Sequence, residues 1–155
     1  MKISSVHFNN RRKGFEIKTR SQSYWFPYVK LDIQPKSGDK VLRASVDAEL
    51  SNEGFVYALE SGEEGTVHIE QVLEYNRDPS YMRDILLYKL TLEAQKRVNT
   101  SPLSKREVIR RLGTSATQLY RLLDQTNYRK TIDQMLLLLN VLDCEVDVIV
   151  RAKSA

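Results

Sequence analysis

The chain has 155 residues, 41% of them hydrophobic and 28% charged, with a formal net charge of +4. That is enough apolar material for one ordinary domain or two small ones, and with only 6 Gly and 4 Pro it does not read as a disordered polymer. No apolar run approaches the roughly 20 residues of a membrane-spanning helix, the opening MKISSVHFNN has no apolar stretch to serve as a signal peptide, and the single cysteine, Cys144, can form no internal disulfide. The totals therefore point to a soluble, cytoplasmic protein in reducing surroundings, with no membrane partner.

The charge is unevenly spread. Residues 1–78 hold 11 Lys and Arg against 12 Asp and Glu, residues 79–130 hold 11 against 4, and residues 131–155 hold 2 against 4, giving −1, +7 and −2. A basic block between near-neutral and acidic sequence is the footprint of a segment that neutralises phosphates on duplex DNA.

From Met1 to about Tyr75 the apolar residues alternate or cluster in short β-branched and aromatic runs. Examples are Phe15-Glu16-Ile17, Val41 to Val46 and Thr66-Val67-His68-Ile69. Breaks fall at Arg12-Lys13-Gly14, Pro35 to Asp39, Ser51 to Gly54 and Ser61 to Gly65, each with residues that turns favour. Five or six strands in a small antiparallel sheet are predicted, with Phe55–Leu59 and Thr66–Ile69 forming a hairpin. At Asp78-Pro79 the period changes from two to 3.6. Asp78 is placed to cap a helix whose first residue is Pro79, running to about Asn99 with Tyr81, Ile85, Tyr88 and Leu92 on one face. Three shorter helices follow, opened by Ser104 with Glu107, Ser115 with Gln118 and Thr131 with Gln134, each spaced as a capping box. Val146, Val148 and Val150 alternate with Asp147, Ile149 and Arg151, which predicts a short closing strand whose free edge is a candidate contact with a second copy or with the N-terminal sheet. The expected fold class is α+β: a β-rich N-terminal domain over residues 1–78, then an all-α helix-turn-helix domain with a short C-terminal strand over residues 79–155.

Lys105 to Asp124 carries the functional pattern. Val108, Ile109 and Leu112 make an apolar stripe on a first helix, Gly113 ends it, and Leu119, Leu122 and Leu123 bury the inner face of a second. The outer face of that second helix presents Ser115, Ala116, Thr117, Gln118, Tyr120, Arg121 and Asp124. Small and hydrogen-bonding side chains at a helix N-terminus suit the major groove, where Gln can pair with adenine and Arg with guanine. Thr117, Gln118 and Arg121 are expected at base edges. Lys105, Arg106, Arg110 and Arg111 are expected on the DNA, with Lys105, Arg110 and Arg111 mostly positioning its backbone.

On these residues the segment resembles the Xre-type helix-turn-helix family, which includes the phage lambda repressors. Ile109 stands at the mid-helix position, Gly113 at the turn, Leu119 and Leu122 at the buried positions of the recognition helix, and Thr131 to Leu142 is similar to the supporting helix. The resemblance spans about residues 80–145, and Leu142 to Val150 is similar to antitoxin members. It implies a sequence-specific DNA-binding regulator, in the first place a repressor, that reads double-stranded DNA as a homodimer. The alternative is an antitoxin that neutralises a toxin protein by direct contact and represses its own operon.

Other segments are weaker. A plain helical hairpin also places Gly between amphipathic helices, but the capping spacings, the charge block and the following helix favour the DNA reading. Leu136–Leu139 reads as core or dimer contact. His7 and His68 are far apart and no Cys-x-x-Cys or His-x-x-x-His spacing exists, so no metal and no cofactor is expected. Gly62-Glu63-Glu64-Gly65 lacks the lysine and hydroxyl of a phosphate loop, and no carboxylate pair accompanies a nucleophile, so no enzyme is expected. Arg11-Arg12-Lys13 with Tyr24-Trp25-Phe26-Pro27-Tyr28 could hold single-stranded nucleic acid, though a turn and a core strand explain them better.

Overall fold

Alternation decides the first unit. The computed structural model describes residues 1–153, divided into Met1–Met82 and a second unit from Arg83. In the first, β1 (Ile3–Asn9), β2 (Gly14–Thr19) and β3 (Ser23–Pro27) form an antiparallel sheet in that order, and β4 (Val41–Val46), β5 (Gly54–Leu59) and β6 (Glu64–His68) form a second. The register pairs Val6 with Ile17, Ile17 with Tyr24, Phe15 with Phe26 and Phe55 with Val67, so both sheets turn an apolar face into one core. At its centre the Phe15 ring lies 5.1, 4.9 and 5.7 Å from those of Tyr28, Phe55 and Tyr57.

The aromatic run of β3 shows what the pleat does. Tyr24, Phe26 and Tyr28 point inward and are buried; Trp25 points the other way, and the Arg12 guanidinium lies 4.3 Å above its ring. A Cβ on Gly14 would stand 2.2 Å from that ring, so only glycine lets β2 pass beneath it. The stacking platform considered for single-stranded nucleic acid is therefore core on one face and already covered by a cation on the other.

His68 caps a short helix, α1 (Ile69–Tyr75): the Glu70 N–H donates to its Nδ1 at 3.3 Å, and its own N–H donates to the Gln71 carboxamide at 2.8 Å. Next comes the long α2 (Pro79–Thr100). Asp78 joins the two elements to β3, since Oδ1 accepts from the Tyr81 N–H at 3.0 Å and Oδ2 from the Tyr24 hydroxyl at 2.9 Å. Burial, then the neighbouring carboxylate, push the Tyr24 phenol up to about 12. The second unit adds α3 (Lys105–Leu112), α4 (Ala116–Leu123) and α5 (Ile132–Val141), packed with the later turns of α2 around Leu87, Ala94, Val108, Leu119, Met135 and Leu138.

The structure corrects the expected fold class. In place of one small sheet followed by an all-α helix-turn-helix domain with a closing strand, the described residues form two three-stranded sheets and five α-helices, the first of which belongs to the β-rich unit. Among the described residues, 144–153 form no strand. Alternation along Val146, Val148 and Val150 specifies faces, but a strand forms only where a second backbone takes up its N–H and C=O groups, and none lies alongside. The buried stripe of α2 also differs from the expected one. Leu87, Thr91, Ala94 and Val98 go inward, with the Thr91 hydroxyl donating to the Leu87 carbonyl at 2.6 Å, whereas Tyr88 and Leu92 are exposed. Leu138 and Leu139 of the leucine run are core; Leu136 and Leu137 are not. No helix among the described residues is long and apolar enough to cross a membrane.

Candidate nucleic-acid interface

Two eight-residue helices and a three-residue turn build the site. Ser104 opens α3 by accepting from the Glu107 N–H at 3.1 Å, and Gly113 closes it in the left-handed region, φ 64°. The Gly113 N–H returns to Arg110 O at 3.1 Å and the Thr114 N–H to Ile109 O at 3.2 Å, which satisfies carbonyls the helix leaves over. Ser115 then opens α4 by accepting from the Gln118 N–H at 3.1 Å. Of the three spacings read as capping boxes, only Thr131 with Gln134 is reciprocal. Glu107 is drawn elsewhere, and the Gln118 amide has no partner among the described residues.

α4 buries Leu119 and Leu122 and exposes Ser115, Ala116, Thr117, Tyr120 and Arg121, with Gln118 half-buried beside them. The side chains of Thr117, Gln118 and Arg121 make no hydrogen bond or ion pair among the described residues, so their donors and acceptors are available. The opposite end of the helix is tied down. Asn127 Nδ2 donates to Arg121 O at 3.1 Å, Gln95 Nε2 to Leu123 O at 2.7 Å, and the Lys130 ammonium to Leu122 O and Asp124 O, both at 2.8 Å. These carbonyls are the ones a helix C-terminus leaves unsatisfied, and a cation is the favourable charge there. Lys130 is 4% exposed, and burial lowers its pKa against the opposing pull of Asp124.

The basic residues divide by what they already hold. Glu107 takes both Arg110 and Arg111: the Arg110 Nε lies 2.9 Å from Oε2 and the Arg111 Nε 3.0 Å from Oε1. Hydrogen bonds from Arg110 and then Arg111 hold the Glu107 carboxyl at about 2. The Lys105 ammonium lies 5.6 Å over the Tyr120 ring, which joins the first helix to the second across the exposed side. Arg83 donates to the carbonyls of Tyr128 and Lys130, so it and Lys130 are structural members of the basic block. Arg106 and Arg121 make no such contact among the described residues.

Beside Gln118 and Arg121 lies a polar cleft of about 510 Å³ whose further walls are Asp124, Thr126, Asn127, Arg129 and Gln134. Asp124 is spent locally, because Oδ1 accepts from the Thr126 N–H and hydroxyl, and these bonds hold its carboxyl below the ordinary value. The exposed Arg129 was counted in the basic block, but nothing in the spacing of residues 124–130 marks it as a neighbour of Arg121; the loop geometry does that. Among the described residues no group of three or more metal-ligating side chains assembles. Comparison with protein-family models, with curated proteins and with solved structures found no match.

Proposed function

We propose that this protein is a sequence-specific DNA-binding regulator in which α4 enters the major groove. The observation that carries the reading is the asymmetry of α4. Its C-terminal carbonyls are held from three directions, while its N-terminal turn and outer face leave Thr117, Gln118 and Arg121 unengaged. A helix presented by its N-terminal end offers both base-reading side chains and a positive dipole to DNA. Gln118 and Arg121 read base edges, with Thr117 beside them; Arg106, Lys105 and Arg129 meet phosphates; Arg110 and Arg111 do so by exchanging Glu107 for phosphate oxygens. A single α4 covers only a few base pairs, so the working form is a homodimer on paired half-sites about one helical turn apart, acting in the cytoplasm.

Selection from random duplexes followed by binding across a salt series tests this. Enrichment of a two-fold motif is expected, with affinity falling on a log-log slope of about −0.9 per phosphate contacted. No enriched sequence and no binding at low salt would sink the proposal.

A further inference from the structure

Beyond the last helix the chain leaves an apolar segment in the open. Val148, Ile149 and Val150 are 85%, 76% and 88% exposed, and no strand or helix includes them. We propose that Glu145 to Lys153 is a self-recognition surface, pairing antiparallel with the same segment of a second copy about a two-fold axis at Ile149.

The sequence of charges supports this register. Glu145-Val146-Asp147-Val148-Ile149-Val150-Arg151-Ala152-Lys153 has its acids on one side of Ile149 and its bases at matching distances on the other. Centred on Ile149, Glu145 faces the second copy's Lys153 and Asp147 its Arg151, and the two-fold doubles both pairs. Residues opposite one another in an antiparallel pair lie on the same face, so the charged side chains flank the two Ile149 residues there. The other face then carries only Val146, Val148, Val150 and Ala152 from each copy. Moving the centre to Val148 sets Glu145 against Arg151 and Lys153 against Asp143 but leaves Asp147 against Ile149; moving it to Val150 leaves only Asp147 with Lys153. A parallel arrangement puts Glu145 on Glu145 and Lys153 on Lys153. Of these registers, only the two-fold about Ile149 pairs every charge between Glu145 and Lys153.

Exposed ion pairs contribute little strength, so the charges select register and partner while burial of the valines drives association. A two-stranded ribbon alone is marginal and needs its apolar face covered. The segment's first residues lie along α2 and α5, where Glu145, Val146 and Asp147 line a mixed apolar and charged cleft of about 300 Å³ with Leu90, Glu93, Arg97 and Leu139. This inference does not rest on the DNA reading.

Sedimentation of the full-length protein without DNA tests it. One variant carries Glu145→Lys and Asp147→Lys, so that every charge in the segment is positive; a second carries Arg151→Glu and Lys153→Glu, so that every charge is negative. The unaltered protein should dimerise with concentration, each variant alone should do so at least about tenfold more weakly, and an equimolar mixture should recover one-to-one heterodimers. All substituted positions are exposed and outside the cores, so circular dichroism should show both variants folded. A monomeric unaltered protein, variants that dimerise as well as it does, or a mixture no better than its components would each overturn the proposal.

Discussion

The two units treat similar sequence in opposite ways. In the first, a basic turn precedes an aromatic run, and the fold turns the run inward: Tyr24, Phe26 and Tyr28 are core, and the hydroxyls of Tyr24, Tyr28 and Tyr57 close on Asp78, Asn10 and the Ile33 carbonyl. In the second, α4 sends two leucines inward and leaves Thr117, Gln118 and Arg121 unengaged among the described residues. Basic and aromatic composition is therefore no measure of a binding surface. What matters is whether the pleat or the helix faces those groups toward solvent and whether neighbours have already used their hydrogen bonds.

The largest test of this contrast is Phe15→Ala, which removes a ring packed against three others and should cost the first unit about 3–5 kcal/mol. Urea unfolding followed by tryptophan fluorescence, which reports Trp25, would show it; a loss below 1 kcal/mol would mean that this core is less tightly built than the ring distances say. Lys130→Met comes next. It strips the ammonium from the buried Leu122 carbonyl and the part-buried Asp124 carbonyl and should destabilise the second unit by about 1.5–3 kcal/mol, seen as a lower helical melting midpoint.

On the exposed side, Arg121→Ala should leave the melting midpoint unchanged while weakening the preferred DNA site by roughly 1–3 kcal/mol and relaxing its consensus. A uniform loss on all sequences would reassign Arg121 to the backbone. Gly113→Ala meets no steric obstacle, since nothing lies within 4 Å of the added carbon, but the left-handed φ should cost about 1–2 kcal/mol. An unchanged stability would show that the turn relaxes.

The smallest effect concerns Glu107. Glu107→Gln releases Arg110 and Arg111 and should steepen the salt dependence of DNA binding by about one to two phosphate contacts; an unchanged slope would remove both arginines from the interface. Because the folded carboxyl sits at about 2, below its ordinary value of 4.5, the stabilisation from this pairing is present above the ordinary value and is lost as pH falls through about 2. A carboxyl titration by NMR reads this directly, and a midpoint near 4.5 would mean the pairs are absent in solution.

The strands were legible because their apolar residues alternate, or in β5 form a short apolar run, between turn residues, and the later helices because Ser104, Ser115 and Thr131 supply oxygen caps at their starts. α1 was missed because its cap is a histidine and its seven residues sit against a strand ending. The α2 stripe was misread because its apolar residues form two stripes, and periodicity does not say which of them a neighbour covers. The closing strand failed for a similar reason, since alternation carries no information about a pairing partner. Within the site, the outward residues of α4 follow from helix spacing, whereas the capture of Arg110 and Arg111 by Glu107, the role of Lys130 and the nearness of Arg129 to Arg121 depend on rotamers and a loop path that no spacing encodes.

The clamped end of α4 bears on how the protein would choose its sites. A helix whose C-terminal carbonyls are already taken by Asn127, Gln95 and Lys130 would need little further ordering on association and would have little compliance to absorb a misfit. When two stiff bodies meet, the softer one deforms, and here that would be the duplex. Base steps between the half-sites, touched by no side chain, would then influence affinity through the ease with which they bend or twist, and flexible pyrimidine–purine steps would be favoured there over stiff adenine tracts.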